Sequence, residues 1–282
     1  MDICTSPEEM RALDAAKGPT VVVMTMGALH AGHTQLMDVA RGYAGTFGRV
    51  VVTIFVNPRQ FGPTEDFDSY PRTFTRDLQL CEEHEVDVVF APDVEQMYSS
   101  AETGVSTIAI TAGDLGEILE GVQRPGHFDG MLTIVAKLFH LTEPNVALFG
   151  EKDYQQLVLI RGMVHALDWP LQVVGVPTVR DDDGLACSSR NKFLSKSGRS
   201  QAAAVPQALQ AGVQVAHRGI GAIVRAVTQV LHRADLVPDY VEVRGVDLSA
   251  DPITGEARLL IAVPVEGVRL IDNTAVDLGG HA

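Results

Sequence analysis

"VVVMTMGALHAGH", Val21–His33, decides how this chain is read. An apolar, β-branched run reaches Gly27, and two histidines, His30 and His33, stand three apart with Gly32 between them. A continuous apolar run marks a strand covered on both faces. The residues that follow, "HTQLMDVARGYA", set Leu36, Met37, Val39 and Ala40 on a helical stripe. A strand therefore hands over to a helix through a glycine-bearing turn that holds two imidazoles. In an open α/β sheet, ligands sit at the carboxyl ends of strands, where helix N-termini offer unpaired N–H groups and partial positive charge. The glycines let backbone approach a ligand closely. Imidazoles donate hydrogen bonds to phosphate without the fixed full charge of lysine. A phosphate-bearing ligand is the expectation, with two surface histidines at an ordinary turn as the alternative. Zinc is disfavoured, because the spacing supplies only two ligands.

Working outward, "RVVVTIFV" reads as a second buried strand, stopped by Asn57-Pro58. "VDVVFAP", "NVALFG" and "LQVVGVPTV" read as further strands, the last of them interior or edge. "DLQLCEEHE", "GMLTIVAKLFHLT" and "YQQLVLIRGMVHAL" read as helices between them. This alternation predicts an α/β fold, a Rossmann-like parallel sheet with helices on both faces. After Val179 the composition shifts. "SKSGRSQAAAVPQALQAGVQVAHR" is Ala-rich and helical, with Pro206 near its first turn or at a kink. A second helix runs from Ala222 to about His232, and "DYVEVRG" and "EARLLIAVPVEGVRLIDN" read as strands. The expected organisation is a Rossmann-like domain over residues 1–178 and a smaller C-terminal α+β lid over 179–282.

Composition narrows the function. With 46% hydrophobic residues in 282, the chain can build a substantial core. Its formal net charge of -14 makes it a poor non-specific partner for nucleic acid or anionic lipid. The start, "MDICTSPEEM", is acidic and lacks the apolar stretch of a signal peptide, and runs such as "LLIAVPV" are too short to span a bilayer. Three scattered cysteines form neither a disulfide framework nor a zinc motif. A cytoplasmic protein with no membrane or nucleic-acid partner is expected.

Four more stretches are dense in polar groups. "FVNPRQFGPTEDFDSYPRT", Phe55–Thr73, is long for a simple connection and offers Asn57 and Gln60 near a strand end. "RPGHFDG" runs from Arg124 to Gly130. "FGEKDYQQL", Phe149–Leu157, puts Lys152, Asp153, Gln155 and Gln156 at a helix entry, where a lysine can pair with phosphate. "DGLACSSRNKFLS", Asp183–Ser195, combines hydroxyls with cations, as suits a phosphate-gripping loop or a hydrophilic hinge.

Together these stretches resemble the pantothenate synthetase (pantoate–β-alanine ligase) family over nearly the whole chain. "TMGALHAGH" is similar to that family's Pro-Thr-Met-Gly-x-Leu-His-x-Gly-His signature, and "FVNPRQF", "DSYPRT", "RPGHFDGMLTIVAKLF", "FGEKDYQQL" and "DGLACSSRN" follow in the family order. The His-x-Gly-His element is shared with a wider nucleotidylyltransferase superfamily. The resemblance implies condensation of pantoate with β-alanine at the cost of ATP, through pantoyl adenylate, releasing AMP and pyrophosphate. It implies that His30 and His33 contact the ATP phosphates and stabilise adenylation, with Lys152 on phosphate. Asp153 and Gly150 would meet the ribose, Val179 the adenine, and Ser188, Ser189 and Arg190 the outer phosphates. Gln60 and Gln156 would bind pantoate together with Met26, which would also contact ATP. Mg2+ would accompany ATP, with Asp77 as its candidate ligand, and a homodimer is implied. Tyr70 and Asn57 fall in family motifs without a defined role. One departure stands out: Met24 replaces the family's proline, and the expectation is a less pre-organised turn. A nucleotidylyltransferase of another substrate class and a non-catalytic nucleotide-binding protein remain the alternatives.

Overall fold

In a computed structural model, residues 1–63, 67–98 and 108–279 are described. The elements run β1 (Asp2–Cys4), α1 (Pro7–Arg11), β2 (Thr20–Thr25), α2 (Ala31–Ala44), β3 (Arg49–Ile54), α3 (Phe74–Glu83), β4 (Val88–Phe90), α4 (Val94–Tyr98), α5 (Glu120–Gln123), α6 (His127–Thr142), β5 (Val146–Gly150), α7 (Tyr154–Ala166) and β6 (Gln172–Val176). They continue with α8 (Lys196–Ala202), α9 (Ala204–Gln214), α10 (Ile220–Arg233), β7 (Tyr240–Gly245), β8 (Glu256–Val265) and β9 (Val268–Asp277). The chain divides into two compact units, residues 1–151 with 159–176, and residues 152–158 with 177–282. The division after Val176 falls two residues before the boundary expected from composition, and 152–158 group with the second unit.

The first unit is built on a six-stranded parallel sheet in the order β1-β4-β3-β2-β5-β6. The valine runs explain it. Val21 and Val23 of β2 pack with Val50 and Val52 of β3 and with Leu36, Met37 and Ala40 of α2. Val22 and Val51, which alternate with them along the strands and so face the other way, are equally inaccessible. Burial on both faces is what a parallel sheet demands. β6 and β1 are the edges. β1 escapes sequence reading because it is three residues long and only Cys4 of it is buried. β2 lies between β3 and β5, so chain order reverses there, and the register Val23↔Leu148 sets the end of β2 level with the end of β5. A crevice at such a reversal is the usual ligand site of doubly wound sheets.

The second unit carries the antiparallel sheet β7-β8-β9. β8 and β9 are joined at Glu266-Gly267, both with positive φ, as a two-residue hairpin turn requires. Leu259, Ile261 and Val263 of β8 share a core with Ala208 and Leu209 of α9 and Ile223, Val227 and Leu231 of α10. The Ala-rich stretch is two helices, broken at Ala203, and Pro206 sits in the first turn of α9, where its missing N–H costs no helical bond. All three cysteines are buried free thiols. Among the described residues, no helix is long and apolar enough to cross a membrane.

Candidate active site

The turn after β2 is fastened before it reaches the histidines. Thr25 Oγ1 donates to Thr53 O at 2.8 Å and accepts from Gly27 N–H at 3.1 Å. Gly27 (φ 80°) and Ala28 (φ 51°) both adopt left-handed backbone, which reverses the chain and costs strain at alanine. The Asp77 carboxylate, from the first turn of α3, offsets that strain. It accepts Ala28 N–H at 3.0 Å on one oxygen, and Leu29 N–H at 2.9 Å and Thr73 Oγ1 at 3.0 Å on the other. Asp77 is 1% exposed. With one lone pair left and no open face, it presents no site for a hydrated cation. Among the described residues, no three His, Cys, Asp or Glu side chains converge as a metal site. What the geometry gives Asp77 is the part of an anchor for the turn.

The histidines begin α2. His30 is its N-cap residue, and Gly32 N–H donates to His30 Nδ1 at 3.1 Å. His30 N–H in turn donates to His33 Nδ1 at 3.3 Å. A backbone N–H can only donate, so Nδ1 of each ring is an acceptor and the ring proton sits on Nε2. The ring centroids are 4.1 Å apart. The first turn of α2 holds no acidic side chain. Both histidines stand at the start of the 14-residue α2, at the positive end of its dipole.

Beside this turn lies the segment after β3. Asn57 and Gln60 are both buried, Asn57 capping a single 3-10 turn and Gln60 ending it, and Gln60 Nε2 lies 3.4 Å from Met26 Sδ. The backbone carbonyl of Gln60 accepts from His127 Nδ1 at 2.8 Å and from Arg124 Nη2 at 3.3 Å. Arg124 Nη1 is 3.0 Å from His127 Nε2, which accepts from it. Gly130 of α6 touches the same turn, where a Cβ would stand 2.2 Å from Arg59 O, so no larger residue fits. The "RPGHFDG" motif, quoted above without a role, is thus a cradle for Gln60. Further along, Tyr70 is buried in edge-on contact with Phe61 at 6.0 Å. Residues 64–66 of the Phe55–Thr73 segment lie outside the described residues.

In the second unit, Val179 and Ser188–Arg190 are brought together. Cys187 N–H donates to Val179 O at 2.9 Å, and Arg180 bridges Ala186, so residues 179–187 form a hairpin with the serines just beyond it. Arg180 pairs with the nearly inaccessible Asp272 through two hydrogen bonds of 2.7 and 3.0 Å. Arg199 grips Asp181 at 2.7 Å and Asp183 at 2.6 Å. Ser188 Oγ caps the 3-10 turn Ser189–Phe193 by accepting Arg190 N–H. Lys152 Nζ lies 3.5 Å from Asp153 Oδ1, and Lys152 O accepts from Asn273 Nδ2 at 2.8 Å. Arg258 donates to Asn273 Oδ1 at 2.7 Å and stacks 4.2 Å from the Tyr154 ring. Gln156 is half-buried in the first turn of α7. Met26, His30, His33, Gln60, Asp77 and Gly150 thus belong to the first unit. Lys152, Asp153, Gln156, Val179, Ser188, Ser189 and Arg190 belong to the second.

Comparison with known proteins bears on what this site handles. A family model described as pantoate-beta-alanine ligase matches residues 2–275. The chain is 50% identical to a pantothenate synthetase of Saccharopolyspora erythraea, over 97% of this chain and 90% of that protein. The crystal structure of a pantothenate synthetase from Thermus thermophilus is similar, with a TM-score of 0.90 and 41% identity, covering 99% of this chain and 100% of that one. A pantoate-beta-alanine ligase from Francisella tularensis, complexed with beta-gamma ATP and beta-alanine, has a TM-score of 0.79 and 31% identity, covering 97% of each chain.

Proposed function

This chain belongs to the pantoate–β-alanine ligase family, and we propose that the turn after β2 is where its chemistry occurs. The enzyme condenses pantoate with β-alanine, using ATP and releasing AMP and pyrophosphate. A pantoate carboxylate oxygen attacks the α-phosphorus, the bond to the β-phosphate oxygen breaks, and pyrophosphate leaves. The β-alanine amine then attacks the acyl carbon, loses a proton, and AMP leaves. Neither step needs a protein nucleophile. Adenylation needs in-line placement and hydrogen-bond donors where negative charge grows.

The observation that carries the site is the matched tautomer of His30 and His33. A backbone N–H donates to Nδ1 of each ring, which makes Nε2 the protonated nitrogen of both imidazoles at the start of α2. In this reading they hold the ATP phosphates and stabilise the departing pyrophosphate. Gly150, the last residue of the neighbouring β5, lets the ribose approach, and Asp153 accepts from its hydroxyls. Lys152 meets phosphate, Val179 lines the adenine, and Ser188, Ser189 and Arg190 grip the outer phosphates. Gln60 and Gln156 bind pantoate next to Met26. Mg2+ would arrive with the ATP substrate, and Asp77 would serve the turn.

The reading also includes a cytoplasmic homodimer, motivated by the family resemblance. A sedimentation mass equal to a single chain at micromolar concentration would remove the dimer. The test of the reaction itself is AMP release from ATP, Mg2+ and pantoate, with and without β-alanine. Turnover of AMP that requires both acids, with equal pantothenate, supports the ligase. AMP left on a stable product would support a nucleotidylyltransferase instead.

A further inference from the structure

Gln60 can present either a carbonyl oxygen or an NH2 group to a ligand, and its surroundings decide which. Asn57, 1% exposed, is the deciding neighbour. Its Oδ1 accepts the backbone N–H of Arg59 at 3.3 Å, and its Nδ2 donates to the backbone carbonyl of Gly130 at 3.0 Å. Both partners have fixed polarity, so the Asn57 amide has one orientation. Its other Nδ2 proton faces the Gln60 amide at 3.1 Å, and the atom there must therefore be Oε1. Nε2 is turned the opposite way, toward Met26.

The chain of bonds has one more link. Tyr98, at the end of α4, places its hydroxyl 2.7 Å from Asn57 Oδ1. That oxygen accepts only, so the phenol donates. The Tyr98 ring is packed against Phe55, with centroids 6.1 Å apart, and under the Arg59 guanidinium at 4.3 Å. Burial, opposed in part by Arg59, pushes the phenol up to about 12, so it keeps its proton over any ordinary assay range.

We propose that Tyr98 is a positioning residue for pantoate. Through Asn57 it locks the Gln60 amide with Nε2 toward the substrate, and so makes this part of the site select an oxygen acceptor. The proposal rests on Gln60 being a pantoate ligand. His127 and Arg124 hold the backbone of Gln60 while Tyr98 and Asn57 hold its side chain, so the residue is fixed at both ends. Hydrogen bonds that run in one direction also polarise one another.

Three variants test this: Tyr98→Phe, Gln60→Ala and the double variant, each with KM for pantoate and for ATP, kcat and melting temperature. Phenylalanine keeps the ring packing, so Tyr98→Phe removes one donor from an intact fold. Its pantoate KM should rise about tenfold, the size of one lost hydrogen bond, with ATP KM unchanged. In the Gln60→Ala background the same change should add nothing. An unchanged pantoate KM in Tyr98→Phe overturns the proposal, as does a parallel rise in ATP KM or an equal effect in both backgrounds. If Gln60→Ala itself leaves pantoate KM unchanged, the assignment of Gln60 to pantoate fails first and takes the proposal with it.

Discussion

The turn after β2 and the hairpin after β6 both carry residues assigned to ATP, yet they are held by opposite means. The turn is fixed from inside, by a buried carboxylate, a threonine hydroxyl and reciprocal backbone-to-imidazole bonds. The hairpin is held in part by exposed charge, with Arg199 on two aspartates, alongside Arg180 on the nearly inaccessible Asp272. Buried hydrogen bonds of fixed polarity define a geometry to a fraction of an ångström and ignore salt. Exposed ion pairs are each worth about 0–1 kcal/mol and weaken with ionic strength. The difference suits the proposed roles, in which the turn would stabilise charge during adenylation and the hairpin would grip the nucleotide.

The comparison breaks most sharply at His30. Removing one donor from such a site costs about 10²–10³ in kcat. His30→Ala should show a loss of that order, with stability lowered only by the size of one lost helix cap, about 0.5–2 kcal/mol, and near-normal turnover would take His30 out of the mechanism.

Asp77→Asn comes next. It replaces an acceptor with an NH2 group, so one buried backbone N–H of Ala28 or Leu29 loses its partner, a cost of about 1–3 kcal/mol. Thermal unfolding should shift down and kcat should fall, while the Mg2+ concentration for half-maximal activity stays put. A raised Mg2+ requirement would restore the metal-ligand reading of Asp77.

Arg199→Met probes the hairpin, and its effect should be under about 1 kcal/mol per lost pair. The pH dependence has a definite sign. For Asp181, desolvation raises the carboxyl, but hydrogen bonds from Cys187 and Arg199 outweigh it and hold it below its ordinary range. For Asp183 the Arg199 hydrogen bond is the main cause of the lowering. A depressed carboxyl stabilises the fold above its unfolded pKa and stops doing so as pH falls through its folded value. The melting gap between parent and Arg199→Met should therefore be constant near neutrality and close only below about pH 4. The gap should also shrink in high salt, whereas that of Asp77→Asn should not.

Met24→Pro should have the smallest effect. Met24 sits opposite Thr53 one residue before the turn. Fixing φ there should lower pantoate KM modestly if the turn lacks pre-organisation. An equal or higher KM would show that the buried anchors already supply it.

How much of this could be read beforehand follows the same contrast. β2 to β6 were legible because apolar runs of valine and isoleucine are local signals, and the histidine turn announced itself by composition. Asp77 was visible as a residue but not as an anchor, since its partners Ala28 and Leu29 are 49 and 48 positions away. The ring tautomers and the Gln60 amide orientation depend on backbone polarity in three dimensions, which no spacing encodes. Arg124, His127 and Gly130 were conspicuous as a motif, and only folding revealed that they converge on one short turn. The grouping of 152–158 with the second unit follows contacts such as Lys152 O with Asn273, 121 positions apart, which leave no trace in local composition.

The most direct test of the account is pyrophosphate release in a single turnover, with ATP, Mg2+ and pantoate but no β-alanine, comparing the parent with His30→Ala. About one pyrophosphate per active site is expected from the parent, formed about 10²–10³ times more slowly in the variant. Pyrophosphate that appears only once β-alanine is added, or at the same rate in both proteins, would contradict it.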